Sequence, residues 1–168
     1  MSAIYIPYTV FVVCMLASIA FDIRSMTIPN GIAIGLCAGF AMVVAFSGTS
    51  FYTVNLHIVT GLFVLGLTFG AFAAGWMGGG DAKLISVTAL WFGPSADLLA
   101  YFVLGSLYGG ILTLWLLTAR SILAPVTGID FVDRLLNPKA GVPYGIALGF
   151  AGLTVFADSV LMELVFSN

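Results

Sequence analysis

The chain has 168 residues, 61% of them apolar and only 7% charged, with a net charge of −2. A soluble domain carries about a quarter charged residues, so a soluble globular enzyme is excluded, and so is a disordered chain, which needs low hydrophobicity and high charge. Five Lys and Arg make no basic stripe for nucleic acid, and a mean hydropathy of +1.17 leaves one polytopic membrane domain over residues 1–168.

A helical span needs about 20 largely apolar residues. The first candidate runs from Ala3 to Phe21 and ends at Asp22. A cleaved signal peptide is disfavoured there, because no basic stretch precedes the run and the run is longer than such peptides use. The second candidate covers about Gly31 to Ser47 and the third about Val54 to Trp76. A short apolar piece, Leu84 to Phe92, follows a glycine-rich turn, and Gly93-Pro94-Ser95 then breaks the chain. The fifth candidate covers about Leu98 to Thr118. The sixth covers Pro143 to Phe166 and carries Asp158 and Glu163 toward its end. The expectation is an all-α, polytopic membrane protein with about six transmembrane helices. Its fourth helix, starting at Asp81, is too short to cross a hydrocarbon core of about 30 Å.

Charge predicts sidedness. With the N-terminus outside and alternating spans, the cytoplasmic segments are about 22–30, 77–83 and 119–142. Arg24, Lys83, Arg120, Arg134 and Lys139 all fall in them, as the positive-inside rule requires. Asp97, Asp158 and Glu163 then lie on the outer side, and His57 near the outer end of the third span reads as structural. In the long cytoplasmic stretch, Phe131 to Leu136 reads as a short interfacial helix, with Asp130 and Asp133 as solvated charges that could also attract a basic segment. Cys14 and Cys37 sit in apolar runs as small hydrophobes. With no CxxC and one histidine, no metal site is expected.

Small residues recur four apart: Gly31, Gly35 and Gly39; Gly66 and Gly70; Gly105 and Gly109; Gly145 and Gly149. This spacing allows close helix approach in lipid. It is read as internal packing of the bundle, with a homodimer face as the alternative.

Carboxylates at membrane depth are costly and mark function by default. Asp22 and Asp81 stand at span ends on the same predicted face, each two positions before a basic residue, Arg24 and Lys83. A solvated helix-end charge is the plain reading of one such residue; two on one face favour a site. Gly78-Gly79-Gly80 before Asp81 lets a backbone approach closely, so an extended substrate strand could lie against it. A phosphate-binding loop is the rival, but Lys83-Leu84 stands where a lysine-hydroxyl ending is needed.

Three places together resemble the type IV prepilin peptidases, membrane aspartic proteases of the GxGD class. They are Phe21-Asp22-Ile23-Arg24 followed by Ile28-Pro29-Asn30; Gly78-Gly79-Gly80-Asp81-Ala82-Lys83-Leu84; and Val142-Pro143-Tyr144-Gly145-Ile146-Ala147-Leu148-Gly149. The order and span plan also match. The resemblance implies that Asp22 and Asp81 are the catalytic pair. It implies cleavage of the basic leader from a prepilin or pseudopilin, whose apolar helix lies in the lipid, at the cytoplasmic face of the plasma (inner) membrane. Gly78, Gly79, Gly80, Lys83, Pro143, Tyr144 and Gly145 are candidates to line the cleft or bind substrate. For Lys83 the plain alternative is interfacial snorkelling, and for Tyr144 and Gly145 a Pro-initiated helix start. The chain is most similar to the short form serving Flp/Tad pili. It lacks the cysteine-bearing domain with which longer members methylate the new N-terminus, so methyltransferase activity is not expected.

Two carboxylates held close share a proton near neutral pH. One activates water and the other protonates the carbonyl, so neither metal nor cofactor is expected. Asp81 begins a helix and Asp22 ends one, and the helix dipole then points to Asp81 as the ionised partner. Rival readings are an archaeal preflagellin peptidase, another GxGD intramembrane protease, a small proton-coupled transporter, and a non-catalytic assembly subunit. A transporter would carry midplane carboxylates and an internal repeat, and no convincing repeat is seen.

Overall fold

The computed structural model describes residues 5–124 and 126–166, with side chains over 6–124 and 126–159. Seven α-helices follow in order: α1 (Tyr5–Ser25), α2 (Asn30–Ser47), α3 (Phe51–Ala73), α4 (Gly79–Phe92), α5 (Ala96–Ile122), α6 (Asp130–Leu136) and α7 (Tyr144–Phe166). Ala3 and Ile4 of the first expected span lie outside the described residues, and Glu163 lies outside the described side chains.

The chain is all-helical among the described residues, and α1, α2, α3 and α5 are long and apolar enough to cross a membrane. Their outward faces carry Val13, Ile34, Phe63, Leu67, Val103 and Leu114, all more than half exposed. A water-soluble fold would bury such faces; a bilayer covers them. The expected count of about six exceeds these four. The difference lies in α4, with 14 residues, and in α7, whose described side chains cover Tyr144–Ser159. At 1.5 Å per residue α4 rises about 21 Å, short of a core about 30 Å thick.

The helix α4 starts earlier than the glycine run implies. Gly79 and Gly80 are its first two residues, and Gly78 caps it. Glycine normally disfavours a helix, but here close packing requires it. A Cβ on Gly79 would stand 3.2 Å from the Phe72 ring, and one on Gly80 3.1 Å from Ile28 Cβ and 3.3 Å from its backbone nitrogen. At the other end Gly93 adopts φ +60, and a Cβ there would meet the His57 ring at 2.7 Å.

The short helix α4 is the axis of the bundle, packed by α3, α2 and α7. Ala82, Leu84, Ile85, Ser86, Thr88, Ala89 and Phe92 are all buried. Polar bonds inside the apolar layer set its register, as expected where lipid supplies no hydrophobic drive between helices. Thr68 Oγ1 and Ser86 Oγ lie 3.0 Å apart between α3 and α4. Trp91 Nε1 donates to Leu36 O of α2 at 2.9 Å. The imidazole of His57 bonds Leu90 O at 2.9 Å; a carbonyl only accepts, so Nδ1 carries the proton. His57 is thus a structural pin between α3 and α4.

The glycine pattern divides. Gly35 packs on Cys14, Gly39 on Trp91, Gly105 on Leu148, Gly109 on Tyr144 and Gly149 on Ile19, so these serve internal packing. A Cβ at Gly31, Gly66 or Gly70 would meet nothing within 4 Å.

One end of the bundle is closed by the chain between α5 and α7. Arg120 Nε donates to Leu135 O at 2.7 Å and its Nη2 to Gly141 O at 2.8 Å. Arg134 Nη1 donates to Arg24 O at the end of α1, at 2.5 Å. The basic side chains therefore satisfy orphan carbonyls at helix ends and in turns. Asp133 accepts from Thr127 N and Thr127 Oγ1, each at 2.7 Å, and from Gly128 N at 3.2 Å. These bonds to the ionised form, the Thr127 hydroxyl first, hold its carboxyl below the ordinary value of 3.8. A folded value below the unfolded one contributes stability that is present above pH 3.8 and is lost as pH falls through the folded value. Protection from amide exchange over residues 127–133, taken relative to the intrinsic rate at each pH, is expected at neutral pH and should be lost under acid below that value. Asp133→Asn should exchange fast at every pH; an unchanged acid step in that variant would refute the assignment.

Candidate active site

Asp22 lies one turn before the end of α1 and is 4% exposed. Past it, Met26 N bonds Asp22 O at 2.9 Å with Met26 at φ 51, the left-handed closure that ends a helix. The chain then turns through Pro29 into α2. The Asp22 carboxylate meets α7: the backbone N–H groups of Gly145 and Ile146 are directed at it. These are the second and third residues of α7, the positions whose amides an N-cap side chain ordinarily satisfies. The residue before α7 is Pro143, which has no side-chain oxygen to offer. A carboxylate from α1 therefore stands at the N-terminus of α7 across the fold, while Ile146 N also reaches Pro143 O at 3.3 Å. One of the carboxylate's oxygens, Oδ2, is buried and has no hydrogen-bond partner among the described residues.

Asp81 is the third residue of α4, and its carboxylate folds back onto the N–H of the capping residue Gly78. That is the reciprocal half of a capping box. A Cβ on Gly78 would stand 3.0 Å from Asp81 Oδ2, so glycine leaves the carboxylate room at this cap. Asp81 is half-buried, and the charge of Asp22 acts on it. The two carboxylates, remote in sequence, occupy the same end of the bundle.

The three sequence motifs converge through one side chain. Ile28, from the turn between α1 and α2, packs against Gly80 of α4. A Cβ on Gly145 of α7 would stand 2.8 Å from Ile28 Cδ1 and 2.8 Å from Asp22 Oδ2. Gly145 is therefore a close-approach residue, and Ile28 is the spacer that separates the starts of α4 and α7. Lys83 Nζ donates to Asn30 Oδ1 at 2.7 Å, joining the first turns of α4 and α2. Pro143 is wholly buried. Tyr144 turns to α5 instead: its ring packs on Gly109 and its hydroxyl lies 3.2 Å from Thr113 Oγ1.

The expected electrostatic asymmetry loses its basis. Asp22 does end its own helix, but it also faces the N-terminus of α7, as Asp81 faces that of α4. Both carboxylates thus lie at positive helix ends. Sequence order could not reveal that contact.

Three residues near the pair carried no assigned role in the sequence. Asn30 and Ile28 belong to the Ile28-Pro29-Asn30 motif, but their contacts cross between elements. Tyr101 of α5 is completely buried beside Thr88, and its hydroxyl lacks a hydrogen-bond partner among the described residues. A tyrosine inside an apolar span was the only available signal. Ser18, one turn before Asp22, is also buried, and its hydroxyl is satisfied by Met15 O at 2.8 Å. No group of three or more His, Cys, Asp or Glu suited to a metal occurs among the described residues.

The sequence model of the type IV leader peptidase family matches residues 9–114. The matched stretch contains both aspartates and ends before Pro143. No curated protein and no solved structure matches the chain.

Proposed function

The chain belongs to the type IV leader peptidase family, and on that premise we propose that it is an aspartic endopeptidase that removes the leader from type IV prepilins or pseudopilins, with Asp22 and Asp81 as its dyad. Membership makes it a leader-peptidase-type protease, a hydrolase, and its apolar helices make it a multi-pass membrane protein. The short Flp/Tad-type form, the plasma-membrane location and cleavage at the cytoplasmic face belong to the proposal.

The observation that carries this reading is the placement of two carboxylates at one end of the bundle, where the charge of Asp22 acts on Asp81. Each sits at a helix N-terminus, and one keeps a buried oxygen without a hydrogen-bond partner among the described residues. In the proposed reaction one carboxylate takes a proton from water as its oxygen attacks the scissile carbonyl. The other, protonated, gives its proton to the carbonyl oxygen. As the tetrahedral gem-diol collapses, one of its hydroxyls returns a proton to the carboxylate that had protonated it, the C–N bond breaks, and the amine leaves with the proton the other carboxyl took from water. The pair ends with one shared proton, as it began. The starts of α4 and α7 supply fixed dipoles where negative charge develops.

Substrate access follows from the same geometry. The glycines ahead of Asp81 leave backbone open to an extended leader segment, while the apolar helix behind the cut stays in lipid. All five basic side chains lie in the segments at this end, which supports placing it in the cytoplasm. Lys83, bonded to Asn30, holds α4 against the α1–α2 turn and so keeps Asp81 in register with Asp22.

The test is reconstitution of the purified protein in lipid with a candidate prepilin, followed by mass spectrometry of the new N-terminus. A single cut between the basic leader and the apolar helix is expected. Intact prepilins and pseudopilins, together with a proton flux in liposomes, would overturn the reading in favour of a transporter.

A further inference from the structure

At the end of the bundle opposite the aspartates, the short α4 has a second consequence. It stops at Phe92 while its neighbours continue, and the space above its C-terminus is a cavity of about 370 Å³. That is within the range of small-molecule sites, roughly 300–1,000 Å³.

The walls are aromatic. Tyr8, Phe40, His57, Trp91 and Phe156 come from five different helices. They interlock: Phe40 and His57 stack at 5.7 Å, Trp91 meets Phe40 at 6.4 Å and Phe156 at 6.1 Å, and Tyr8 meets Phe156 at 5.4 Å. One carboxylate, Asp97, lines the same cavity. Its hydrogen-bond partner is the Ser159 hydroxyl, at 3.1 Å from Oδ2. That hydroxyl has a single hydrogen and also lies 2.7 Å from Val155 O, so it cannot satisfy both acceptors at once. A carboxylate offers about four acceptor positions.

No basic residue answers this charge. Arg24, Lys83, Arg120, Arg134 and Lys139 all belong to segments at the other end of the bundle. The end of α4, through Trp91 and Phe92, and the start of α5, which carries Asp97 in its first turn, both border this space, so their helix dipoles offset and the carboxylate is the formal charge there. Aromatic faces and a carboxylate without a basic partner together favour one ligand chemistry, an organic cation.

We propose that this cavity binds an alkylammonium group, with the rings around it and Asp97 as its counter-charge. Two sources share that chemistry, the amine headgroup of a phospholipid and a small soluble amine. The site is independent of the aspartate pair and of the protease reading.

The test uses the full chain in lipid nanodiscs with Trp76→Phe and Trp115→Phe, which leaves Trp91 as the only indole reporter. The probe is choline chloride, compared with its uncharged isostere in which carbon replaces nitrogen. Choline is expected to change Trp91 emission saturably, and the isostere to bind at least tenfold more weakly. Asp97→Asn should weaken choline at least tenfold at an unchanged melting temperature, and Asp97→Glu should retain most of the affinity. Adding phosphatidylethanolamine to phosphatidylglycerol discs should raise the apparent choline Kd if a lipid headgroup is the resident ligand. It should leave the Kd unchanged if a soluble amine is; both results support the ammonium site. Equal binding of choline and its isostere, choline binding by Asp97→Asn at wild-type strength, or no saturable response would overturn the proposal.

Discussion

Asp22→Asn and Asp81→Asn are each expected to reduce leader removal by about 10²- to 10⁴-fold, the range lost with a general acid or base. The two changes should not multiply. Residues acting as one unit give non-additive losses, so the double variant should be about as inactive as either single one. The assay is cleavage of a co-expressed prepilin, with membrane insertion checked by fractionation. Asparagine keeps the shape of the carboxylate and an oxygen that can accept from the amides of Gly145 and Ile146, so a folding defect is not the expected cause of inactivity. A single variant that cleaves at the wild-type rate while inserted would remove that aspartate from the chemistry.

Gly145→Ala is expected to be the most damaging single-methyl change at the site. The added Cβ would stand 2.8 Å from both Asp22 Oδ2 and Ile28 Cδ1. Neither neighbour can yield freely. Asp22 is held between α1 and α7, and Ile28 is wedged against Gly80. Overpacking a tight site costs roughly 1–3 kcal/mol, and here the strain falls on a proposed catalytic carboxylate. Activity should fall about 10²-fold or more, because small misplacements of reacting groups cost that much. Gly66→Ala and Gly70→Ala provide the control, since a Cβ at either meets nothing within 4 Å. Both should cleave and melt like the unaltered protein. Thermal unfolding measured beside cleavage separates lost stability from lost geometry. Equal effects at Gly145 and Gly66 would refute the close-approach argument.

The contrast between these glycines shows how far a linear reading reaches. Gly66-to-Gly70 and Gly145-to-Gly149 have the same four-residue spacing, and spacing alone cannot say which pair meets a neighbour. Likewise Lys83 stands two positions after Asp81 in sequence, yet its ammonium bonds Asn30. Tyr144 stood beside Gly145, yet its side chain serves α5. On a helix, adjacent residues point about 100° apart, so sequence neighbours commonly serve different partners.

By itself, the sequence determined the all-helical membrane class, because so few charges and so many apolar residues leave no other solvent for the surface. It also singled out Asp22 and Asp81, since two acids at span ends on one predicted face, one of them behind a glycine run, favour a site, and it marked α4 as too short to span. Tertiary structure alone decided that the Asp22 carboxylate stands at the N-terminus of α7, that Ile28 spaces the three motifs, and that aromatic rings from five helices line a cavity with Asp97. The physical reason is range. Hydropathy and the cost of buried charge act residue by residue and can be read along a chain. Capping across helices and close packing depend on which surfaces meet, and that is settled only when the helices pack.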